Sequence, residues 1–151
     1  MSLAQSSLSS IVRMFRRAGA RCRKSRGRYV CSSGSVKAVI DNYRIKILVE
    51  GELRGEYGYY KPEDVYSEEA FMDSLKNASG ADDVYLEFPS QDVYLCLEYS
   101  IDNADKAVKA FEKMARHGFS IAITNLEGEL RLYSDGNTVS TSKWLSILEN
   151  R

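Results

Sequence analysis

Residues 1–29 contain no aspartate or glutamate. The 151-residue chain is also sparing with two prolines, one histidine, one tryptophan and three cysteines. So few prolines, with no long polar tract, argue against a large disordered region. No apolar run approaches the roughly 20 residues of a membrane span, so no membrane partner is expected. The N-terminus has no apolar stretch behind its charges and does not read as a secretory signal. Cys22, Cys31 and Cys96 are odd in number and unrelated in spacing, which predicts no disulfide framework and suits a reducing, cytoplasmic setting. Those three with His117 lack the paired spacing of a zinc site, so no metal or cofactor is expected. His117 falls just before Gly118 at a predicted helix end, where a cation favours the helix dipole. Neither a GxSxG nucleophile motif nor a glycine-rich phosphate loop occurs.

What the N-terminal stretch does contain is positive charge. Arg13, Arg16, Arg17, Arg21, Arg23, Lys24, Arg26 and Arg28 fall within sixteen residues. Eight of the 21 basic residues therefore lie before residue 30, leaving 13 to face all 21 acidic ones. The formal balance is +8 up to residue 29 and −8 after it, hidden in a net charge of zero. Cations spaced along a helix and the strand after it can neutralise successive phosphates, with counterion release supplying the affinity. The same cluster also suits docking on the acidic remainder, on another copy or on a protein partner. Transit peptides share the Ser- and Arg-rich, acid-free character, but this stretch runs into strand-like sequence without a linker.

The periodicity predicts an α+β chain forming a single domain over 1–151, with a basic helix and arm (1–28) and an acidic hairpin-helix body (29–151). Leu8, Ile11, Val12 and Phe15 recur at helical spacing within 6–20, with Ser9 or Ser10 as cap unless the helix starts earlier, and Gly19 as its stop. Residues 21–28 read as an exposed basic strand or loop. Short strand-like runs follow at 28–31, 36–40 and 45–49, with Glu50-Gly51 as a turn and 52–60 running back. Ser67 is placed to cap a helix burying Phe71, Met72 and Leu75. Alternating strands at 84–88 and 93–97 precede a helix capped by Asp102, burying Ala104, Ala107, Val108, Phe111, Met114 and Ala115, and ended by Gly118. Phe119, Ile121 and Ile123 pair with Leu130 and Leu132, and Trp144, Leu145 and Leu148 mark a last helix capped by Thr141 or Ser142. From residue 43 this is hairpin-helix three times, over 43–77, 83–117 and 119–150, in a mixed or antiparallel sheet. The pentapeptide Glu-Gly-Glu-Leu-Arg occurs at 50–54 and 127–131, each time at an expected hairpin turn, which suits either a duplication or a recurrent turn.

Asp41, Glu50, Glu52 and Glu56 are the carboxylates of chemical interest. Carboxylates gathered near a hairpin can hold Mg²⁺ for phosphodiester cleavage. The evenly spaced Glu50, Glu52 and Glu56 can equally form the solvated face of an edge hairpin.

In order and spacing the first hundred residues resemble the archaeal Holliday junction resolvases of the restriction-endonuclease-like fold. Ala4 to Ala20 looks like that family's opening helix, Arg21–Arg26 its first strand, Arg28-Tyr29-Val30-Cys31 its second and Val39–Tyr43 its third. The family's first catalytic Asp falls on Arg28 or Tyr29, and its Glu-x-Lys on Asp41-Asn42-Tyr43, which has no lysine. Moving the match to Glu52-Leu53-Arg54 restores a near-motif but puts Ser35 or Val36 where the Asp belongs. The resemblance therefore implies a degenerate, non-cleaving relative that keeps the basic surface.

The expectation is a non-catalytic protein that binds DNA or RNA phosphates through the eight cations of 13–28. The alternatives are an assembly subunit whose basic arm docks on an acidic body, in a homo-oligomer or with a protein partner, and a metal-dependent nuclease using Asp41, Glu50 and Glu52.

Overall fold

The computed structural model describes residues 3–53, 62–89, 92–124 and 129–149. Its architecture is α+β, with an N-terminal helix and a mixed sheet of nine strands among the described residues.

Helix α1 (Leu3–Arg17) buries Ile11, Val12 and Phe15. It ends because Gly19 takes a left-handed φ of 97°. Ala20 N–H then donates to Phe15 C=O and Gly19 N–H to Arg16 C=O, the reciprocal pair that closes a Schellman end. Strands β1 (Arg21–Ser25) and β2 (Arg28–Ser33) follow as an antiparallel hairpin. Only Arg26 and Gly27 join them, with φ of 53° and 79°. Two positive φ values in a two-residue loop are the signature of a type I′ turn. The N-terminal basic region is thus a helix and a hairpin built into the fold. Residues 21–28, expected as an exposed basic strand or loop, take the strand form as this hairpin, and α1 shares one hydrophobic cluster with the rest of the chain.

Strand β3 (Val36–Ile40) pairs with β2 and with β4 (Arg44–Leu53). After α2 (Pro62–Ser79) come β5 (Asp83–Glu87) and β6 (Asp92–Ser100). A single 3-10 turn at Ile101–Asn103 leads into α3 (Ala104–Arg116). The chain finishes with β7 (Phe119–Thr124), β8 (Glu129–Ser134), β9 (Asn137–Val139) and α4 (Thr141–Glu149).

The sheet forks at β4. Along one edge β4 pairs antiparallel with β6 over Arg44–Glu52. The other edge must then carry both remaining partners. Antiparallel β3 takes Ile45–Val49 and parallel β7 takes Gly51–Leu53. At the seam Glu50 N–H donates to Ser35 C=O over 2.9 Å, and the Ser35 hydroxyl donates to Phe119 C=O. One branch leads to β2 and β1, the other to β8 and β9.

The helices contribute to one buried cluster with Val36, Ala38, Ile40, Ile45, Ile47, Val49, Leu95, Leu97 and Tyr99. Helix α3 is central, running against β3, β4, β6 and β7 through Ala107, Ala110, Phe111 and Met114. Phe111 meets Phe15 of α1 edge-on with centroids 5.1 Å apart. At the other branch Trp144 of α4 stacks on Phe119 at 4.1 Å, and its indole N–H donates to Tyr133 C=O.

Several sequence expectations are corrected by these contacts. Glu50-Gly51 is no turn but the middle of a ten-residue strand. The first Glu-Gly-Glu-Leu-Arg copy therefore lies in a strand through residue 53, whereas residues 54–60, with the expected return strand, lie outside the described residues. So do 127 and 128 of the second copy. Helix α2 starts at Pro62, a residue preorganised for a first helical position, and not at Ser67. Asn103, after the 3-10 turn, precedes α3 in place of Asp102. Ser140, not Thr141 or Ser142, accepts the Lys143 N–H at the start of α4.

Gly51 is required by the fork. A Cβ there would stand 2.4 Å from Ile121 Cγ1 and 2.9 Å from the Ile121 carbonyl oxygen. The carbonyl belongs to a paired strand and cannot swing away. Gly51→Ala is expected to lower the unfolding free energy by roughly 1–3 kcal/mol, the usual cost of overpacking. Urea denaturation checks this; unchanged stability would show that β7 can slide off β4 freely.

Candidate nucleic-acid interface

All eight cations of residues 13–28 are exposed, but they do not share one face. Arg13, Arg16 and Arg17 are three and four residues apart on α1, so they form one ridge opposite the buried Ile11, Val12 and Phe15. On β1 the side chains alternate. Cys22 is bonded to the buried Cys31, so Cys22 and Lys24 point to the helix side of the sheet. Arg21 and Arg23 point to the opposite face. Arg28 pairs with Ser25 in register and joins them there. Arg26 occupies the turn. A ridge of three arginines on the helix layer and a patch of three on the open sheet face thus flank the free edge of β1. The expected single track is split in two.

None of the eight makes an ion pair among the described residues. The cations of the later chain behave differently. Lys37 pairs with Glu50 at 3.3 Å, Arg44 with Glu98 at 3.0 Å, Lys46 with Glu87 at 2.5 Å and Arg116 with Glu112 at 2.5 Å. Lys46 also lies 5.5 Å over the Tyr85 ring. The contrast follows from composition, since the first 29 residues supply no carboxylate. Among the described residues the basic region makes no ion pair with the acidic body.

Helix α3 adds cations that charge counting passed over. Lys106, Lys109 and Arg116 are exposed beside Asp105 and Glu112. Their three- and seven-residue spacing was the available signal, obscured by the neighbouring acids.

The cysteines are paired differently from expectation. Cys22 and Cys31 form a disulfide between directly opposed strand positions with Cα atoms 4.0 Å apart. The two-residue turn causes this: once Arg26 and Gly27 form the loop, residue 22 falls opposite residue 31. The bond staples the edge strand carrying Arg21 and Arg23. It also removes the argument that the cysteines made for a reducing compartment. Cys96 is free and buried beneath Lys46, Glu87 and Tyr85. Burial first, then the Glu87 carboxylate, pushes its thiol up to about 12. Such a thiol is no nucleophile at neutral pH.

Of the carboxylates proposed for metal chemistry, Asp41 lies apart from Glu50 and Glu52. Asp41 Oδ1 accepts the N–H groups of Tyr43 and Arg44 at 2.7 and 2.8 Å, closing the β3–β4 turn. Six strand residues, about 20 Å, separate that turn from Glu50. Glu50 and Glu52 instead rim a hollow of about 190 Å³ at the fork, with Ser35, Ser120 and Tyr133. Glu56 lies outside the described residues. Among the described residues no three His, Cys, Asp or Glu side chains gather as a metal site. His117 follows α3 with its ring 6.3 Å from that of Phe119. No described helix is long and apolar enough to cross a membrane.

The chain matches no protein-family model, no curated protein and no solved structure.

Thiol counting tests the cysteine assignment. The folded, unreduced protein should react negligibly with a chromogenic disulfide reagent at pH 8. Unfolding in guanidinium should release one thiol, and unfolding with prior reduction all three. Three thiols in the unreduced, unfolded protein would remove the Cys22–Cys31 bond.

Proposed function

We propose that this protein binds nucleic acid through the phosphate backbone and does not cleave it. The observation that carries this is the set of eight exposed cations, without an ion pair among the described residues, held on α1 and on a stapled hairpin. Charge that finds no partner among the described residues is charge available to a polyanion. Arginine dominates the set, and its planar fork matches phosphate oxygens bidentately. No base-reading element is proposed, so binding is to backbone more than to sequence.

The resemblance to Holliday junction resolvases supports the non-cleaving form of this reading. Where that family carries its first catalytic Asp this chain has Arg28 or Tyr29. In the first placement of the second motif, Asp41 is occupied in a turn; in the second, on Glu52-Leu53-Arg54, the first Asp is replaced by Ser35 or Val36. As a phosphate binder the protein would act in the cytoplasm only if the Cys22–Cys31 bond persists or is dispensable there, since disulfides are rare in reducing compartments.

A second reading has its own observation. Among the described residues strand β1 pairs only with β2, leaving a sheet edge open beside a cationic surface, while residues 30–151 carry the opposite net charge. A second copy or an acidic protein could be held at that edge.

Fluorescence anisotropy with labelled single-stranded, duplex and branched DNA and RNA decides between them. With about four phosphates neutralised, raising salt from about 50 to 200 mM should weaken binding on the order of a hundredfold. Arg16→Ala with Arg17→Ala probes the helix ridge, and Arg21→Ala with Arg23→Ala the sheet patch; the pair whose loss flattens the salt dependence marks the contact surface. No binding at 50 mM salt would sink the nucleic-acid reading. A mass that falls as salt rises would then favour assembly.

A further inference from the structure

The C-terminal ends of α1 and α3 come together above the end of β2. Between them lies an open groove of about 390 Å³. Arg17 and Gly19 form one lip, Glu112 and Arg116 the other, and Ser33 the floor. The Phe15–Phe111 contact beneath fixes the spacing of the two helices. Neither the Arg17 guanidinium nor the Ser33 hydroxyl has a hydrogen-bond or ion-pair partner among the described residues. Among the described residues Arg116 is tied only to Glu112, one turn back on its own helix.

We propose that this groove seats a phosphate group between Arg17 and Arg116, with the Ser33 hydroxyl donating from below. The proposal adds α3 to the binding surface and rests on the nucleic-acid reading for the owner of the phosphate. Both arginines sit in last helical turns, where a cation also offsets the negative end of the helix dipole. That role draws on their charge, not on their directional donors. Five N–H groups per guanidinium leave ample capacity for an oxyanion. A lone exposed pair such as Arg116–Glu112 is weak, so a phosphate with two acceptor oxygens can displace Glu112 from part of the fork. Glu112 then acts against binding, because its carboxylate faces the same space as the anion. The path implied for a strand runs along Arg13, Arg16 and Arg17 and across to Arg116, on the helix layer. The sheet patch of Arg21, Arg23 and Arg28 lies on the other side.

The test uses the full chain with two probes, a labelled single strand and inorganic phosphate. Arg116→Ala should weaken strand binding about 3- to 10-fold at low salt and reduce the slope of log affinity against log salt by about 0.7–0.9, the loss of one phosphate contact. Glu112→Gln should strengthen binding, a change of opposite sign that misfolding cannot imitate. Inorganic phosphate should shift the amide resonances of Gly19 and Ser33 in the wild type but not in Arg116→Ala. If the strand binds and neither substitution alters its affinity or slope, the groove is overturned while the nucleic-acid reading stands. If no nucleic acid binds but phosphate shifts those amides in an Arg116-dependent way, the groove stands and the nucleic-acid reading falls. Silence of both probes overturns both.

Discussion

The close approach of β7 to β4 at Gly51 is the constraint on which the rest of the molecule depends. One edge of a single strand serves two partners of opposite direction, and the handover occurs within two residues. Backbone pairing alone cannot make that junction. It needs a position without a side chain where Ile121 crosses, and a polar link to hold the diverging strand starts together. Gly51 provides the first and the Ser35 hydroxyl on Phe119 C=O the second. The fork then determines where the helices lie. Helix α3 spans both branches from one side, so α1 is left to cover β1 and β2, and α4 to cover β8 through Trp144. The basic region reaches its final position as the outer end of one branch.

That outer end is weakly supported, since among the described residues β1 has one neighbour, and it carries four cations among Arg21 to Arg26. Three local devices compensate. The Schellman end of α1 aims the chain into β1, the Arg26-Gly27 turn has the twist a hairpin needs, and Cys22–Cys31 ties the edge strand to a strand paired on both sides. Each acts on the backbone or the helix-facing side. The residues pointing the other way, Arg21, Arg23 and Arg28, are thereby free of any structural duty that the fold reveals.

Much of this was legible in the chain. The α3 stripe from Ala104 to Met114 and the alternation of Val93, Leu95 and Leu97 announce their elements because one face of each is wholly buried. Gly51 was misread because a glycine beside a glutamate looks alike whether it serves a turn or a close crossing; only the distant Ile121 distinguishes them. The disulfide was missed for a related reason. Arginine is an unusual occupant of a left-handed turn position, so the hairpin that aligns Cys22 with Cys31 was not obvious. For the candidate surface, exposure of the eight cations was readable from the absence of acids, whereas their division between two faces depends on strand alternation at β1. Arg116 was hidden by Glu112, which cancels it in any count of charge yet leaves its donors in place.

The cost of holding so many like charges is small enough for the fold to carry. Two arginines two residues apart on a strand sit about 6.6 Å apart. In water at that distance their repulsion is about 0.6 kcal/mol, and physiological salt lowers it further. A few such terms are modest against the apolar burial of Ile11, Val12 and Phe15 alone, each worth about 1.5–3 kcal/mol. The burden is therefore tolerable but not useful for stability, because no carboxylate among the described residues turns repulsion into attraction. A flexible basic tail would present the same charges at less folding cost, but a partner would have to order it on binding. On α1 and the hairpin the backbone is already ordered, so an anion has only side chains to immobilise. Rigid presentation of charge with no ion pair among the described residues suits the phosphate-binding surface proposed above.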